Sequence, residues 1–318
     1  MMRGHPFDAT CADPIFLRRR IDSPLAKGRR SKVHKVLSVR LVKEYDCRNR
    51  EARGLKRISD ASRLRTAAAL PSLLAFPTMT DTDMCRLILT HYEIPYREDP
   101  HIFGWASVLA LFSAGSVQIP VLVGPDYRLV GPRQIAGRFD KDCPAAGKLV
   151  PDDATLRAEF ELDWTTFDGV LARTTAILAY YHLLPHREIM IEPLTRGVPT
   201  LEASFVRSAY PLFSEQFRLL LQLNKENAQK ALDQTRAVFN QTDARLADGR
   251  RFLVGESLTL SDLRFVSAAA PVLLPKGYSS PIPPFERMPS EFQAIITEMR
   301  QHPAARYVER IYDSYRNK

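Results

Sequence analysis

Residues 78–83, Thr-Met-Thr-Asp-Thr-Asp, contain three hydroxyl and two carboxylate side chains. A threonine hydroxyl can donate a hydrogen bond to a negatively charged group. A neighbouring carboxylate has the opposite effect, because it raises the free energy of such a charge. Short polar side chains are also typical of a helix start, where they bond to free backbone N–H groups. The stretch therefore has two interpretations, a hydroxyl that stabilises an anion or an ordinary helix cap.

The second stretch whose residues could contribute to a functional site is 117–137, VQIPVLVGPDYRLVGPRQIAG. Pro120 interrupts an apolar run, where a proline costs a strand one ladder hydrogen bond. Gly131 and Pro132 are good residues to begin a helix, with glycine at the cap and proline at the first helical position. The stretch therefore predicts two short strands, the first interrupted at Pro120, and a helix that begins at Gly131.

The elements that position these residues follow from hydrophobic spacing. Residues 71–141 predict the order β-α-β-α-β-β-α, with the hairpin turn at Gly124-Pro125-Asp126. A linker, 142–152, precedes residues 153–318, where every apolar pattern has helical spacing. One long pattern in this half is broken near Gly169. Another continues from Phe213 to Leu246 and predicts a helix of about nine turns.

A capping box gives the clearest local signal in the helical half, in the stretch LTLSDLRF. The Thr259 side chain can accept from the N–H of Asp262, and the Asp262 carboxylate can accept from the N–H of Thr259. The following helix is apolar nearly all round, so we expect it to be buried. We therefore predict a structural role for Asp262.

Charge is concentrated near the N-terminus. Residues 1–70 contain 18 Lys and Arg against 7 Asp and Glu, and the remainder contains 27 against 29. We interpret residues 1–70 as a basic, mostly disordered extension. It is a targeting segment, a nucleic-acid arm or an extension without specific function. Its shortage of aromatic residues argues against nucleic-acid binding.

No run of about 18 apolar residues and no signal-peptide pattern is present, which predicts a cytoplasmic protein without a membrane span. The four cysteines, at positions 11, 47, 85 and 143, are far apart in the sequence. They form no CxxC pair and no metal-ligand pair with histidine. We expect reduced thiols and no metal site. Cys85 falls within the predicted first helix, and we expect it to be a core residue.

These features together resemble the cytosolic glutathione transferase family. The β-α-β-α-β-β-α order of a thioredoxin-like domain, an all-α domain, the helix opened by SLTLSDL and the final HPAARYVERIYDSYR are similar to that family. The resemblance covers about residues 71–318. It implies a thioredoxin-like α/β domain followed by an all-α helical-bundle domain.

The resemblance also implies a glutathione site. Pro120 would be a cis-proline that turns the backbone of Ile119 toward the cysteinyl part of glutathione. The family places Glu or Asp followed by Ser where this chain has Gly131 and Pro132, so the carboxylate and hydroxyl that bind the γ-glutamyl group are missing. Next to Gly131 and Pro132, the N–H groups of Arg133 and Gln134 and the Arg133 cation would form the remaining anion site.

The thiol-activating position of the family falls at Met79 or Thr80. A thioether cannot donate a hydrogen bond to a thiolate, so Thr80 is the candidate catalytic residue. Thr78 and Thr82 are the alternative hydroxyls. A second-substrate pocket between the domains would be lined by four residues: Trp164, Tyr180, Tyr181 and His182.

Two functions remain open at this stage. The first is a glutathione-dependent transferase that uses glutathione as co-substrate against a small electrophile. The second is a non-catalytic protein of the same fold that binds another ligand or a protein partner. The resemblance further implies a homodimer. The departures from the family pattern at Met79-Thr80 and at Gly131-Pro132 favour the second function, and the fold favours the first.

Overall fold

The structure is a computed structural model that describes residues 70–316. The predicted basic extension, 1–70, lies outside the described residues except for Leu70. The proposed division into 71–141, 142–152 and 153–318 stays a prediction.

A four-stranded sheet forms the core of the first half. Its strands are β1 (Ser72–Ala75), β2 (Arg97–Pro100), β3 (Val121–Val123) and β4 (Arg128–Val130). Their order in the sheet is β2-β1-β3-β4. Strands β1 and β2 are parallel, and the other two pairs are antiparallel. Every residue of β1 is buried, which agrees with its central place and its apolar sequence.

Three helices complete this half: α1 (Thr80–His91), α2 (Phe103–Ala114) and α3 (Gly131–Asp140). They alternate with the strands in the predicted order β-α-β-α-β-β-α, which is therefore confirmed. Acidic residues in the first turn of α1, Asp81 and Asp83, face the partial positive charge of the helix N-terminus.

The second half contains helices only among the described residues. They are α4 (Ala154–Thr166), α5 (Ala172–Leu183), α6 (Arg187–Thr195), α7 (Thr200–Ser208), α8 (Tyr210–Leu220), α9 (Lys225–Leu246), α10 (Leu260–Leu273), α11 (Ser290–Met299) and α12 (Pro303–Arg316). The predicted fold class, a thioredoxin-like α/β part followed by an all-α part, is confirmed. The predicted break near Gly169 is a π-helical turn, Phe167–Leu171.

The prediction of one helix from Phe213 to Leu246 is wrong, because the chain forms α8 and α9 there. Gln222 has a positive φ of 52°, which a right-handed helix cannot contain. Asn224 then caps α9 by accepting a hydrogen bond from the N–H of Asn227 at 2.9 Å. The apolar spacing continues in phase across this break, so periodicity alone does not reveal it.

Helix α10 is buried over its whole length, as predicted. The capping box of Thr259 and Asp262 is present. The Asp262 carboxylate accepts from the N–H of Thr259 at 2.6 Å, from the Thr259 hydroxyl at 2.8 Å and from the N–H of Leu253 at 2.7 Å. The Tyr307 hydroxyl of α12 donates to it as well. Asp262 therefore satisfies four donors where water cannot reach, which supports its structural role.

The strand register brings three segments to one edge of the sheet. Leu74 near the end of β1 pairs with Val121 at the start of β3, and Val121 also pairs with Val130 at the end of β4. The residues after β1, before β3 and after β4 therefore leave the sheet at the same edge. Thr80 follows the first of these strands, Pro120 precedes the second, and helix α3 follows the third.

Between residues 70 and 316, no helix is long and apolar enough to cross a membrane. The same residues contain no group of three His, Cys, Asp or Glu side chains arranged to hold a metal ion.

Candidate functional site

A cavity of about 350 Å³ lies between the sheet half and the helical half. The segment after β1 forms one wall, and helices α5, α6, α8 and α10 form the others. Most of its wall is apolar, with the side chains of Phe103, Ala176, Met190, Phe217 and Leu220 among the lining residues. An apolar cavity with a few polar groups at one end is the usual form of a small-molecule site.

The polar end of the cavity includes the threonines singled out from the sequence. Thr78 and Thr80 line it, and Thr80 is the first residue of α1. The Thr78 and Tyr180 hydroxyls form a hydrogen bond of 2.7 Å. Burial raises the pKa of Tyr180 to about 12, although the Thr78 bond opposes this shift. Tyr180 therefore remains protonated at neutral pH and keeps a proton to donate.

Thr82 does not belong to this set. Its side chain is fully buried, and its hydroxyl donates to the carbonyl oxygen of Phe76 at 2.9 Å. This bond ties the first turn of α1 to the end of β1. Of the three hydroxyls considered, Thr78 and Thr80 are those that face the cavity.

The two aspartates of this stretch are both bound to the helical half. The Asp81 carboxylate forms an ion pair with Arg264 of α10. Asp83 is buried and accepts from the Ser279 hydroxyl at 2.8 Å and from the hydroxyl of Tyr312 in α12. Burial raises the pKa of Asp83, although these hydrogen bonds oppose the shift. The repulsion that these carboxylates would exert on an anion near Thr80 is therefore reduced.

Cys85 is a core residue, as the sequence predicted. Its side chain has no solvent exposure, and burial raises the pKa of its thiol well above the usual range. Such a thiol is a poor nucleophile at neutral pH. Cys85 and Cys143 are the free cysteines of the described residues.

The predicted glutathione-binding residues before β3 and after β4 lie together. The Ile119-Pro120 peptide bond is cis, as predicted. The N–H of Gly131 donates to the carbonyl oxygen of Pro120 at 2.9 Å, which joins the two segments. Gly131 has a φ of 74°, a conformation that favours glycine. The Pro132 side chain is buried within the start of α3.

Arg133 already contacts an anion within the protein. Its Nη1 atom lies 3.0 Å from Oε2 of Glu161 in α4, and its guanidinium lies 5.0 Å from the centre of the Trp164 ring. The predicted anion site at the start of α3 would therefore have to compete with Glu161. Both side chains of this ion pair are a little under half exposed, so solvent screening weakens the attraction between Arg133 and Glu161.

Of the four residues predicted for a second-substrate pocket, Tyr180 lines the cavity. Trp164 contacts the Arg133 and Arg264 guanidinium groups instead. The His182 ring stacks on Phe292 with centroids 5.3 Å apart. Tyr181 lines a second depression, which Tyr180 also borders, beside Leu184 and Asn224.

Sequence reasoning missed the most polar group of the cavity, Arg264 of α10. Its side chain is 3% exposed and pairs with both Asp81 and Asp168. Burial raises the pKa of Asp168, an effect that the charge of Arg264 opposes. The signal was present as the one basic residue of a helix that, beyond Asp262, consists of small and apolar residues, because a buried charge requires a partner.

Comparison with known proteins agrees with this architecture. Residues 191–281 match the family model for the glutathione S-transferase, C-terminal domain. A search of the curated proteins found no match.

Three solved structures illustrate what the chain is similar to. A glutathione S-transferase from Methylobacillus flagellatus KT with glutathione bound is 18% identical, over 77% of this chain and 98% of that chain, with a TM-score of 0.47. A possible glutathione S-transferase from Rhodopseudomonas palustris is 15% identical, over 77% and 95%, with a TM-score of 0.49. Beta-etherase LigF from Sphingobium sp. strain SYK-6 is 12% identical, over 77% and 99%, with a TM-score of 0.48.

The order of the elements and the match of the C-terminal domain define a glutathione S-transferase-like fold, a small sheet with three helices followed by an all-α part. The match of the C-terminal domain falls on the part of the chain that contains the SLTLSDL helix start. The resemblance of this chain to the glutathione S-transferase family, stated from the sequence, is therefore confirmed.

Proposed function

We propose that the protein is a glutathione transferase that joins glutathione to a small apolar electrophile. The observation that carries this proposal is the meeting of three segments at one sheet edge. Thr80, the cis-Pro120 segment and the start of α3 leave the sheet together, and Thr80 also lines the cavity. Glutathione would lie along that edge, and the electrophile would occupy the cavity.

Each predicted site residue has a role in this proposal. The Ile119 backbone beside cis-Pro120 would pair with the cysteinyl part of glutathione, as one strand pairs with another. Past Gly131 and Pro132, the N–H groups of Arg133 and Gln134 and the Arg133 side chain would hold an anionic end of the peptide. The Thr80 hydroxyl would donate a hydrogen bond to the thiolate, at a helix N-terminus that also favours negative charge. The glutathione thiol would lose its proton to water, and the thiolate sulfur would form a C–S bond to the electrophile as the leaving group departs with its bonding electrons, chloride in the case of 1-chloro-2,4-dinitrobenzene.

A second candidate is a protein of this fold that binds a ligand without glutathione. Two observations favour it. Gly131 and Pro132 provide no side-chain carboxylate or hydroxyl, and Arg133 is engaged with Glu161. A homodimer and a cytoplasmic location are further proposals that rest on the family resemblance, and light scattering of the purified protein tests the first.

Glutathione binding separates the two functions. The transferase proposal predicts retention on glutathione-agarose, a raised melting temperature at millimolar glutathione, and conjugation of 1-chloro-2,4-dinitrobenzene. Absence of both retention and a thermal shift would refute the transferase proposal and leave the second candidate.

Two variants locate the chemistry within the site. Thr80→Val should lower the conjugation rate by about tenfold or more while glutathione still binds, because a lost donor to a developing charge costs the chemical step. Thr78→Val is the matched control, since Thr78 lines the same cavity but bonds to Tyr180. If Thr78→Val causes the larger loss, the activating hydroxyl is Thr78 or its partner Tyr180.

A further inference from the structure

Helix α2 exposes an apolar face to solvent. Its sequence, FGWASVLALFSA, contains no charged residue, and its buried residues are Ala106 and Ala110. Helical residues three, four and seven positions apart lie on one face, and the exposed face of α2 is made of four large apolar side chains: Trp105, Val108, Leu111 and Phe112. A helix that is apolar all round is normally buried, so this exposed face has the character of a binding surface.

The chain around this face is also uncharged. Residues 102–125 contain no Asp, Glu, Lys, Arg or His, and Val117, shortly after α2, is exposed as well. Helix α9 differs in this respect, because Glu226, Lys230 and Asp233 are among its exposed residues. A nucleic acid needs Lys or Arg against its phosphates, and α2 offers none. Hydrocarbon matches such a face better, because it does not require a charged partner.

The charge of the whole chain distinguishes a membrane from a second copy of the protein. Residues 1–70 contain 18 Lys and Arg against 7 Asp and Glu, an excess of eleven positive charges, and the remainder of the chain is nearly neutral. Two copies joined through α2 would each carry this excess, and like charges oppose association. Anionic lipid headgroups attract the same charge. An apolar face and a polybasic segment are together the two signals that stable attachment to a membrane surface requires.

We propose that the protein binds to the surface of an anionic lipid membrane through the exposed face of α2, with the basic residues of 1–70 attracted to the headgroups. Trp105 and Phe112 would enter the boundary between headgroups and acyl chains, where aromatic side chains are favoured. Helix α2 has 12 residues, so it would lie in the plane of the membrane without crossing it. This inference is independent of the transferase proposal and requires no glutathione.

Vesicle binding of the full chain is the first measurement. Vesicles of phosphatidylcholine with phosphatidylserine are compared with vesicles of phosphatidylcholine alone, and the bound fraction is measured by flotation. We expect binding to the anionic vesicles, and binding that is weaker by about tenfold or more to the neutral vesicles or at high salt, because salt screens the attraction of the basic residues.

Tryptophan fluorescence then identifies the surface that meets the lipid. The chain has two tryptophans, Trp105 on α2 and Trp164, which lies against Phe160 and Arg133. Anionic vesicles with brominated acyl chains should quench the wild-type emission and move it to shorter wavelength. Trp105→Phe keeps an aromatic side chain on the face, so this variant should still bind but lose most of the quenching.

Three variants separate the apolar signal from the basic one. Phe112→Ser should weaken binding to anionic vesicles by about tenfold, because it removes a large apolar side chain from the lipid contact. Leu162→Ser on α4 is the matched control and should leave binding unchanged, since Leu162 is 71% exposed and Phe112 is 68% exposed. The combined variant with Arg18→Glu, Arg19→Glu and Arg20→Glu should also weaken binding by about tenfold or more.

Four results would overturn the inference. They are the absence of vesicle binding, unquenched Trp105 emission on brominated vesicles, equal losses for Phe112→Ser and Leu162→Ser, and loss of binding by the arginine variant with Phe112→Ser unaffected. The last result would mean that the basic segment binds lipid without α2. Light scattering without lipid tests the other occupant, because a lower molecular mass of Phe112→Ser than of the wild type would assign the face to a second copy of the chain.

Discussion

His101 joins the sheet half to the helical half through a charged contact. Its ring is 3% exposed and directly follows β2. Nδ1 lies 2.7 Å from Oε1 of Glu202 in α7, and Nε2 lies 3.4 Å from Oδ1 of Asp99. Glu202 also accepts from the N–H of Ile102 at 3.0 Å. Burial lowers the pKa of His101, but the bonds and charges of Asp99 and Glu202 outweigh it and raise the pKa to about 9.

The free energy of unfolding should therefore depend on pH through His101. A histidine whose pKa is higher in the folded state stabilises the fold fully below its unfolded pKa of about 6.5, and this contribution is lost as the pH rises through about 9. The difference between these two pKa values corresponds to a contribution of at most about 3 kcal/mol to the free energy of unfolding. Asp99 is half exposed and solvent screens its charge, so we expect a loss of about 2 kcal/mol between pH 6 and pH 9.5.

Urea unfolding of the wild-type protein and of His101→Gln measures this effect. We expect the difference in unfolding free energy between the two to shrink by about 2 kcal/mol from pH 6 to pH 9.5. Glu202→Gln is the second comparison, since it removes the carboxylate charge and should reduce the pH dependence. A wild-type minus His101→Gln difference that stays constant over this range would show that His101 is not charged in the folded protein at neutral pH.

Three further predictions concern residues of the core and of the site. Asp262→Ala should lower the unfolding free energy by about 2–4 kcal/mol, measured with urea, because it leaves buried donors without an acceptor; a loss below about 1 kcal/mol would contradict the structural role. Gly131→Ala should lower the unfolding free energy by about 1 kcal/mol, because Gly131 has a positive φ. Gly137→Ala in the same helix, where a Cβ would meet open space, should leave the unfolding free energy unchanged or raise it. Equal effects of the two substitutions would contradict the argument. In native protein treated with iodoacetamide, peptide mapping should find Cys143 labelled and Cys85 unlabelled until urea is added, and rapid labelling of Cys85 would show that its helix opens readily.

The parts of the fold that follow local rules could be predicted from the sequence. The hairpin around Gly124-Pro125-Asp126 and the capping box at Thr259 depend on residues close together in the chain, whereas the cis bond before Pro120 was implied by the family resemblance. The break between α8 and α9 could not, because Leu221 and Ala228, seven positions apart, keep the helical apolar spacing on both sides of Gln222. A helical period records which residues are buried, and it is insensitive to one residue that changes the backbone direction.

The polar contacts of the candidate site could not be predicted from local sequence patterns. Arg264 meets Asp81 across more than 180 positions, and Arg133 meets Glu161 across 28. No local pattern distinguishes a carboxylate that caps its own helix from one that also pairs with a distant arginine. The composition of α10 indicated a buried helix, and only the tertiary structure shows that its arginine reaches the cavity.

The two interpretations of the Thr-Met-Thr-Asp-Thr-Asp stretch are therefore compatible rather than exclusive. Asp81 and Asp83 lie in the first turn of α1, where they suit the helix dipole, and each also binds the helical half, through Arg264 and through Tyr312 with Ser279. Thr80 lies next to them and lines the cavity. Both carboxylates bind groups of the helical half. The helix start is therefore less unfavourable for a thiolate than its acidic sequence suggests, and the Thr80 hydroxyl can lie beside a bound thiolate. If Asp81→Asn, which removes one carboxylate charge but keeps the side-chain length, raised the apparent pKa of bound glutathione instead of lowering it or leaving it unchanged, this account of the local charge would be wrong.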